Sequence, residues 1–191
     1  YGLVNNLGGG LSEQSVNGFI SPPNGLLETH STNSPNFRDR LDVRIKAGLL
    51  VAPWGMNAGF WTETDLAGIT VPSFYIAGDQ DTVAGYDNGT KKIYEGAVNS
   101  ERYLLTYLGA GHNAGAPISL PMELDNEENA EPATHYRDDN WDNVEMNNIM
   151  DHFATIWFDK HLKGVERDEA LNNIPENYQE RLLLEHLSIG E

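Results

Sequence analysis

The sequence contains no cysteine, which excludes disulfides, thiolate zinc sites and a cysteine nucleophile within its 191 residues. Basic residues are scarce: 12 Lys and Arg stand against 29 Asp and Glu, a formal net charge of −17. So acidic a surface repels phosphate backbones and anionic lipid, so neither a nucleic-acid partner nor a membrane partner is expected. Long hydrophobic runs are absent as well. The longest, Ala47 to Trp54, falls far short of the roughly 20 apolar residues that cross a bilayer. No basic stretch leading into an apolar one opens the chain, so no signal peptide is visible. The most telling absence concerns serine: none of the nine serines sits in a G-x-S-x-G frame, the strand-to-helix elbow that presents a nucleophile.

What is present describes an ordinary globular chain. Apolar residues make up 39% and charged residues 21%, enough for one domain with its own core. Tyr1 to Gly10 reads as the end of a small-residue helix broken at Gly8-Gly9-Gly10, followed by a loop rich in Asn, Ser, Pro and Gly up to about Arg40. Ile45 to Ala52 is the first expected strand, nearly unbroken in its apolar character, as parallel strands covered on both faces are. Ser73 to Ala77 and Arg102 to Leu108 follow as strands, with a helix over Asp87 to Ala97 between them. An acidic insertion occupies about 117–140. Met146, Ile149, Met150, Phe153, Ile156 and Trp157 then recur at helical spacing, predicting an amphipathic helix from Asp142 to Leu162 that Gly164 ends. In the tail, 165–191, the group Leu182, Leu183, Leu184 and Leu187 suggests one last short helix. This order of elements argues for an α/β sheet of parallel strands. Three strands are few for a chain of 191 residues, so part of the sheet is expected elsewhere.

In open α/β sheets, ligands sit beyond the carboxyl ends of the strands. Two expected strands end there in short turns with an ionisable residue: Gly78-Asp79-Gln80-Asp81 and Gly109-Ala110-Gly111-His112. An Asp alone in such a turn is most often a turn former or a helix cap, and a His alone is most often a surface residue. Together, at matching ends of buried strands, they suit a carboxylate that orients an imidazole so that its second nitrogen can act as a base. Trp54 and Met56, on the loop after the first strand, would supply an apolar wall for part of a substrate, or simply pack the loop.

These motifs carry a resemblance. Ile45-Lys46-Ala47 leading to Ala52-Pro53-Trp54-Gly55, Val71-Pro72 leading to Ile76-Ala77-Gly78-Asp79-Gln80-Asp81, and Gly109-Ala110-Gly111-His112 resemble the C-terminal half of the α/β-hydrolase superfamily. Within it, the resemblance is to the dienelactone-hydrolase-like and polyester-hydrolase-like esterases. The resemblance implies Asp81 as the triad acid, His112 as the triad histidine and Trp141 to Leu162 as the closing helix. It also implies no cofactor and an ester substrate, expected as a small molecule, with acyl length, lactone or linear ester, and small ester or polymer left open. The chain order in that superfamily is Ser, Asp, His, and the opening Tyr1-Gly2-Leu3-Val4-Asn5-Asn6 resembles the helix that follows the elbow. The nucleophile is therefore expected just upstream of Tyr1, on an N-terminal segment or chain. Dienelactone hydrolases proper carry a cysteine there, so serine and cysteine both stay open, with the motifs leaning toward serine. The rival expectation is a non-catalytic hydrolase-like fragment that acts as a binding or assembly partner, its open sheet covered by a complementary piece or by a second copy in a homo-oligomer.

Other features point away from ligands. Asp138-Asp139-Asn140-Trp141-Asp142-Asn143 looks superficially like a calcium loop, but Asn143 stands where the loop needs glycine and Ile149 where it needs glutamate. No metal site is expected. His152 and His161 lie too far apart along their helix to share a metal, and Gly8-Gly9-Gly10 lacks the lysine of a phosphate loop.

Overall fold

The computed structural model describes residues 2–13, 25, 27–115 and 119–191. Four strands form one sheet in the order β1-β2-β3-β4: β1 Gly48–Val51, β2 Ser73–Gly78, β3 Arg102–Tyr107 and β4 Leu182–Leu187. The first three run parallel; β4 runs antiparallel to β3, pairing Arg102 with Leu187 and Tyr107 with Leu182. The α/β class and the parallel core expected from the sequence are present.

The tail corrects the sequence reading. Its leucines form strand β4 rather than a helix, and the short helix of the tail lies earlier, at Asp168–Leu171. Leucine favours helices on its own, but β3 offered an open ladder of backbone groups, and alternation fits that ladder. Leu182 and Leu184 pack on one sheet face, where His186 also stacks on Tyr103 at 4.1 Å, while Leu187 packs on the other face.

Alternating side chains of β2 and β3 feed two cores. On one face Phe74, Ile76, Tyr103, Leu105 and Tyr107 meet Met146, Ile149, Phe153, Ile156 and Trp157 of the long helix. On the other face Leu50, Tyr75 and Leu104 meet Val4, Leu7, Phe60, Trp61, Leu66, Ile93 and Tyr94. Both strands are buried along their whole length because helices cover both faces. The helices, in chain order, are α1 Gly2–Asn6, α2 Glu63–Leu66, α3 Lys91–Gly96, α4 Ala130–Ala133, α5 Asn143–Lys163 and α6 Asp168–Leu171. A π-turn at Tyr86–Thr90 runs directly into α3, so the expected helix is present with a wider first turn.

Helix α5 shows how local signals fix an element. The Asp142 side chain accepts the Glu145 N–H at the start, and Gly164, at φ 66, stops it in the left-handed conformation. Its apolar stripe lies on the sheet, and the Trp157 indole N–H reaches across to the Gly48 carbonyl at 3.1 Å. Truncating fully buried Trp157 to Ala would cost about 3–5 kcal/mol. At the far edge, Gly48 N–H donates to the Pro72 carbonyl just before β2 and Ala52 N–H to the Ile76 carbonyl within it, so Leu49 and Val51 turn their backbone groups away from β2. Among the described residues β1 pairs with β2 alone. The loop expected between Gly10 and Arg40 is irregular where described, with short 3-10 turns at Glu28–His30 and Arg38–Arg40; residues 14–24 and 26 lie outside the described residues.

Candidate active site

The carboxyl ends of β2 and β3 lie side by side, and a glycine makes their approach possible. A Cβ on Gly78 would stand 2.2 Å from the Ala110 carbonyl oxygen, so any other residue would force the two turns apart. The turns are then tied together. Gln80 N–H donates to the Ala110 carbonyl at 2.9 Å, and the Asp79 carboxylate accepts the Gly109 N–H at 2.7 Å. Asp79 is thus a structural tie, and Asp81 is the acid left to face the histidine.

Asp81 Oδ1 accepts the N–H groups of Val83 at 2.8 Å and Ala84 at 3.0 Å, while Oδ2 lies 2.9 Å from His112 Nδ1. The carboxylate is wholly buried, whereas the imidazole is 39% exposed. Burial on its own would raise the Asp81 pKa. The His112 hydrogen bond and the two backbone amides outweigh it and hold the carboxyl below its ordinary 3.8. The hydrogen bond to Asp81 raises His112 above its ordinary 6.5, against a smaller opposing effect of burial. At neutral pH Asp81 is therefore an anion that can only accept, so Nδ1 carries a proton, and in the neutral imidazole Nε2 is the nitrogen with the free lone pair. No partner is bonded to Nε2 among the described residues.

His112 opens on a cleft of about 520 Å³ bordered by Gln80, Thr82, Val83 and Asn113 on the strand-end side. The opposite wall is the end of the acidic insertion, Thr134 to Asn140. Val83 is the one aliphatic side chain of that lining, so the cleft suits a polar group. No serine lines it among the described residues.

The sequence-derived residues do not all converge here. Asp81 and His112 meet directly. Trp54 stands apart from the cleft lining, edge-on to Phe60 at 5.2 Å. Met56 opens a 3-10 turn and lines a different groove, of about 600 Å³, with Glu63, Thr64, Lys92 and Glu95. A link remains between that loop and the acid turn: Asn57 Nδ2 donates to the Val83 carbonyl at 3.2 Å. The residues that sequence reasoning missed are Asn113 and Asp138. The Asp138 carboxylate accepts Asn140 N–H at 2.9 Å and Trp141 N–H at 3.1 Å, and also Gly111 N–H at 2.8 Å, beside the histidine. Its calcium-loop look reflects this turn, since Asp is the residue that bonds its own backbone two and three positions on. Among the described residues no three His, Cys, Asp or Glu side chains converge to hold a metal ion. No described helix is long and apolar enough to cross a membrane.

No protein-family model matches the chain, and a search of the curated proteins finds no match.

Proposed function

We propose that this chain supplies the acid and the histidine of an ester-hydrolysing catalytic triad on an α/β-hydrolase-like fold, the nucleophile coming from an N-terminal segment or chain. The observation that carries the reading is the 2.9 Å bond between buried Asp81 and half-exposed His112 at the carboxyl ends of adjacent parallel strands. In this reading Nε2 takes the proton of the nucleophile as it attacks the ester carbonyl. Asp81 stabilises the imidazolium, and His112 then returns the proton to the leaving alkoxide. Water repeats the cycle on the acyl-enzyme. The open edge of β1 supports an added strand there, because Leu49 and Val51 present backbone groups that another strand would satisfy. The polar cleft favours a small ester whose part nearest His112 is neutral and polar over one with an alkyl chain, which would strip water from Gln80, Thr82 and Asp139. The chemistry calls for no cofactor.

The same open edge favours the rival reading, a non-catalytic hydrolase-like fragment covered by a partner or by a second copy of itself. A nitrophenyl acetate assay separates them. The product of the whole reading frame containing Tyr1 to Glu191 is expected to hydrolyse the ester, and His112→Ala is expected to abolish it. Hydrolysis that survives His112→Ala would overturn the site. A folded product that never hydrolyses any short-chain ester would favour the non-catalytic partner.

A further inference from the structure

The turn that carries His112 is gripped from outside on both sides of the histidine. Immediately before it, Gly111 N–H donates to Asp138 Oδ2 at 2.8 Å. Immediately after it, Asn113 Nδ2 donates to the Thr134 carbonyl at 2.6 Å and to the Arg137 carbonyl. Two more bonds hold the root of the turn: Asn140 Nδ2 to the Gly109 carbonyl at 2.7 Å, and Trp141 Nε1 to the Leu108 carbonyl at 2.9 Å. All these partners lie in one segment, 134–141, at the end of the acidic insertion just before helix α5. The segment is itself anchored, because buried Trp141 packs edge-on against Tyr107 at 5.0 Å and carries the Arg181 guanidinium 3.6 Å above its ring. Without these bonds the turn would keep its ties to Gln80 and Asp79 at Ala110 and Gly109, but Gly111, next to the histidine, would be free to swing.

We propose that Asp138 and Asn113 are positioning residues for His112: the segment 134–141 acts as a strap that holds the imidazole in register with Asp81. This rests on the reading of the pair as catalytic for its significance, though not for its test. A histidine held by a short turn alone could rotate about its side-chain bonds and meet water, and a displacement of about 1 Å is enough to weaken a catalytic hydrogen bond severely. The strap removes that freedom through backbone groups. It leaves the Nε2 side of the ring unengaged, facing the cleft.

The test measures the proton affinity of His112 by NMR titration in the chain as it stands, with no substrate or nucleophile needed. The titratable and charged groups around the imidazole are Asp81, bonded to it, and His135, Arg137, Asp138 and Asp139, which line the same cleft. Asp138→Asn removes the charge and keeps one oxygen, which can still accept Gly111 N–H at the expense of the Asn140 and Trp141 N–H groups; Asp138→Ala removes the charge and every acceptor. Asn113→Ala cuts the other side with no change of charge. The strap predicts that Asp138→Ala and Asn113→Ala each lower the proton affinity of His112 about threefold or more, toward that of a free histidine, while Asp138→Asn stays near the parent. Equal falls in Asp138→Asn and Asp138→Ala would mean that the charge acts alone, and the proposal fails. So does a folded Asn113→Ala variant, of lower thermal stability, with unchanged His112 titration, since the strap is then only a structural brace. Should Asp138→Ala not fold, the Asn113→Ala result decides. A strap effect found in a protein that hydrolyses no ester would sink the esterase reading and leave the strap standing.

Discussion

Carboxylates sit beside histidines at both ends of the sheet, and the two ends are built differently. Beyond the carboxyl ends of the strands, Asp81 gives one oxygen to two backbone amides and the other to His112 at 2.9 Å. At the opposite end Glu101, just before β3, stands 3.8 Å from His161 and 3.9 Å from His186, outside hydrogen-bond range, and its charge is met by Lys160 at 2.5 Å. Lys160 is bonded in turn to Asp168 at 2.7 Å, while His161 packs tilted against Trp157 and His186 stacks on Tyr103. The first arrangement orients one ring nitrogen and frees the other. The second fills space and balances charge with long, shared contacts. Proximity of an acid to a histidine therefore says little; which atom is held, and which is left open to a cleft, says much.

The contrast is broken most severely through activity. Asp81→Asn keeps the shape but loses the anion that fixes the tautomer, and on the proposed reading ester hydrolysis by the whole reading frame's product is expected to fall roughly ten-thousandfold. Glu101→Gln should leave the rate within about twofold of the parent, because its loss touches no reacting group. Comparable losses in both, measured as kcat/KM on a nitrophenyl ester, would erase the distinction drawn between the two ends.

The next effect is on stability. Arg102, fully buried at the Glu101 end, donates to the carbonyls of Tyr94, Ser100, Ser188 and Glu191, at 2.7 Å for the first and 2.8 Å for the last. Arg102→Met strands those acceptors and should cost about 3 kcal/mol in urea unfolding. Hydrolysis by whatever fraction stays folded is expected to be unchanged.

The smallest effect is the most discriminating, because the two histidines should respond to pH with opposite sign. His112 has its pKa raised in the folded state, so its contribution is fully present below the ordinary 6.5 and is lost as pH rises through the raised value. His161 has its pKa lowered by burial, and its Nε2 has no hydrogen-bond partner. Folding therefore favours its neutral form, and that stability is lost as pH falls below 6.5. His112→Gln should thus destabilise more at about pH 5.5 than at about pH 8.5, and His161→Gln less. Asp81, with its lowered pKa, adds stability above 3.8 that disappears as pH falls through its folded value. Urea midpoints at the two pH values check the signs, and a shared sign would mean that both histidines sit in equivalent surroundings.

Much of this was legible in the sequence, and the gaps have physical causes. Strands β2 and β3 announced themselves because buried parallel strands are largely apolar, and α5 because its stripe recurs at helical spacing. The Asp81–His112 pairing was readable because both residues follow strand-end glycines, although 31 positions separate them. Strand β4 was not readable, since Leu182 to Leu184 satisfies a helix equally well until the open edge of β3 is known. The strap was invisible for a stronger reason. Asp138 and Asn113 act on backbone groups 27 and 24 positions away, and a backbone amide leaves no mark on sequence. Trp54 and Met56 were selected for their size and place after β1, and whether a large side chain turns into a cleft or onto Phe60 is decided by packing.

The central claim is that His112 activates a nucleophile that these residues do not supply. Labelling with a fluorophosphonate, followed by peptide mapping of the whole reading frame's product, tests it most directly. The account predicts one adduct, on a residue preceding Tyr1, formed at neutral pH and lost in His112→Ala. An adduct on Thr82 or on any of the nine serines of this sequence, or labelling indifferent to His112, would contradict it.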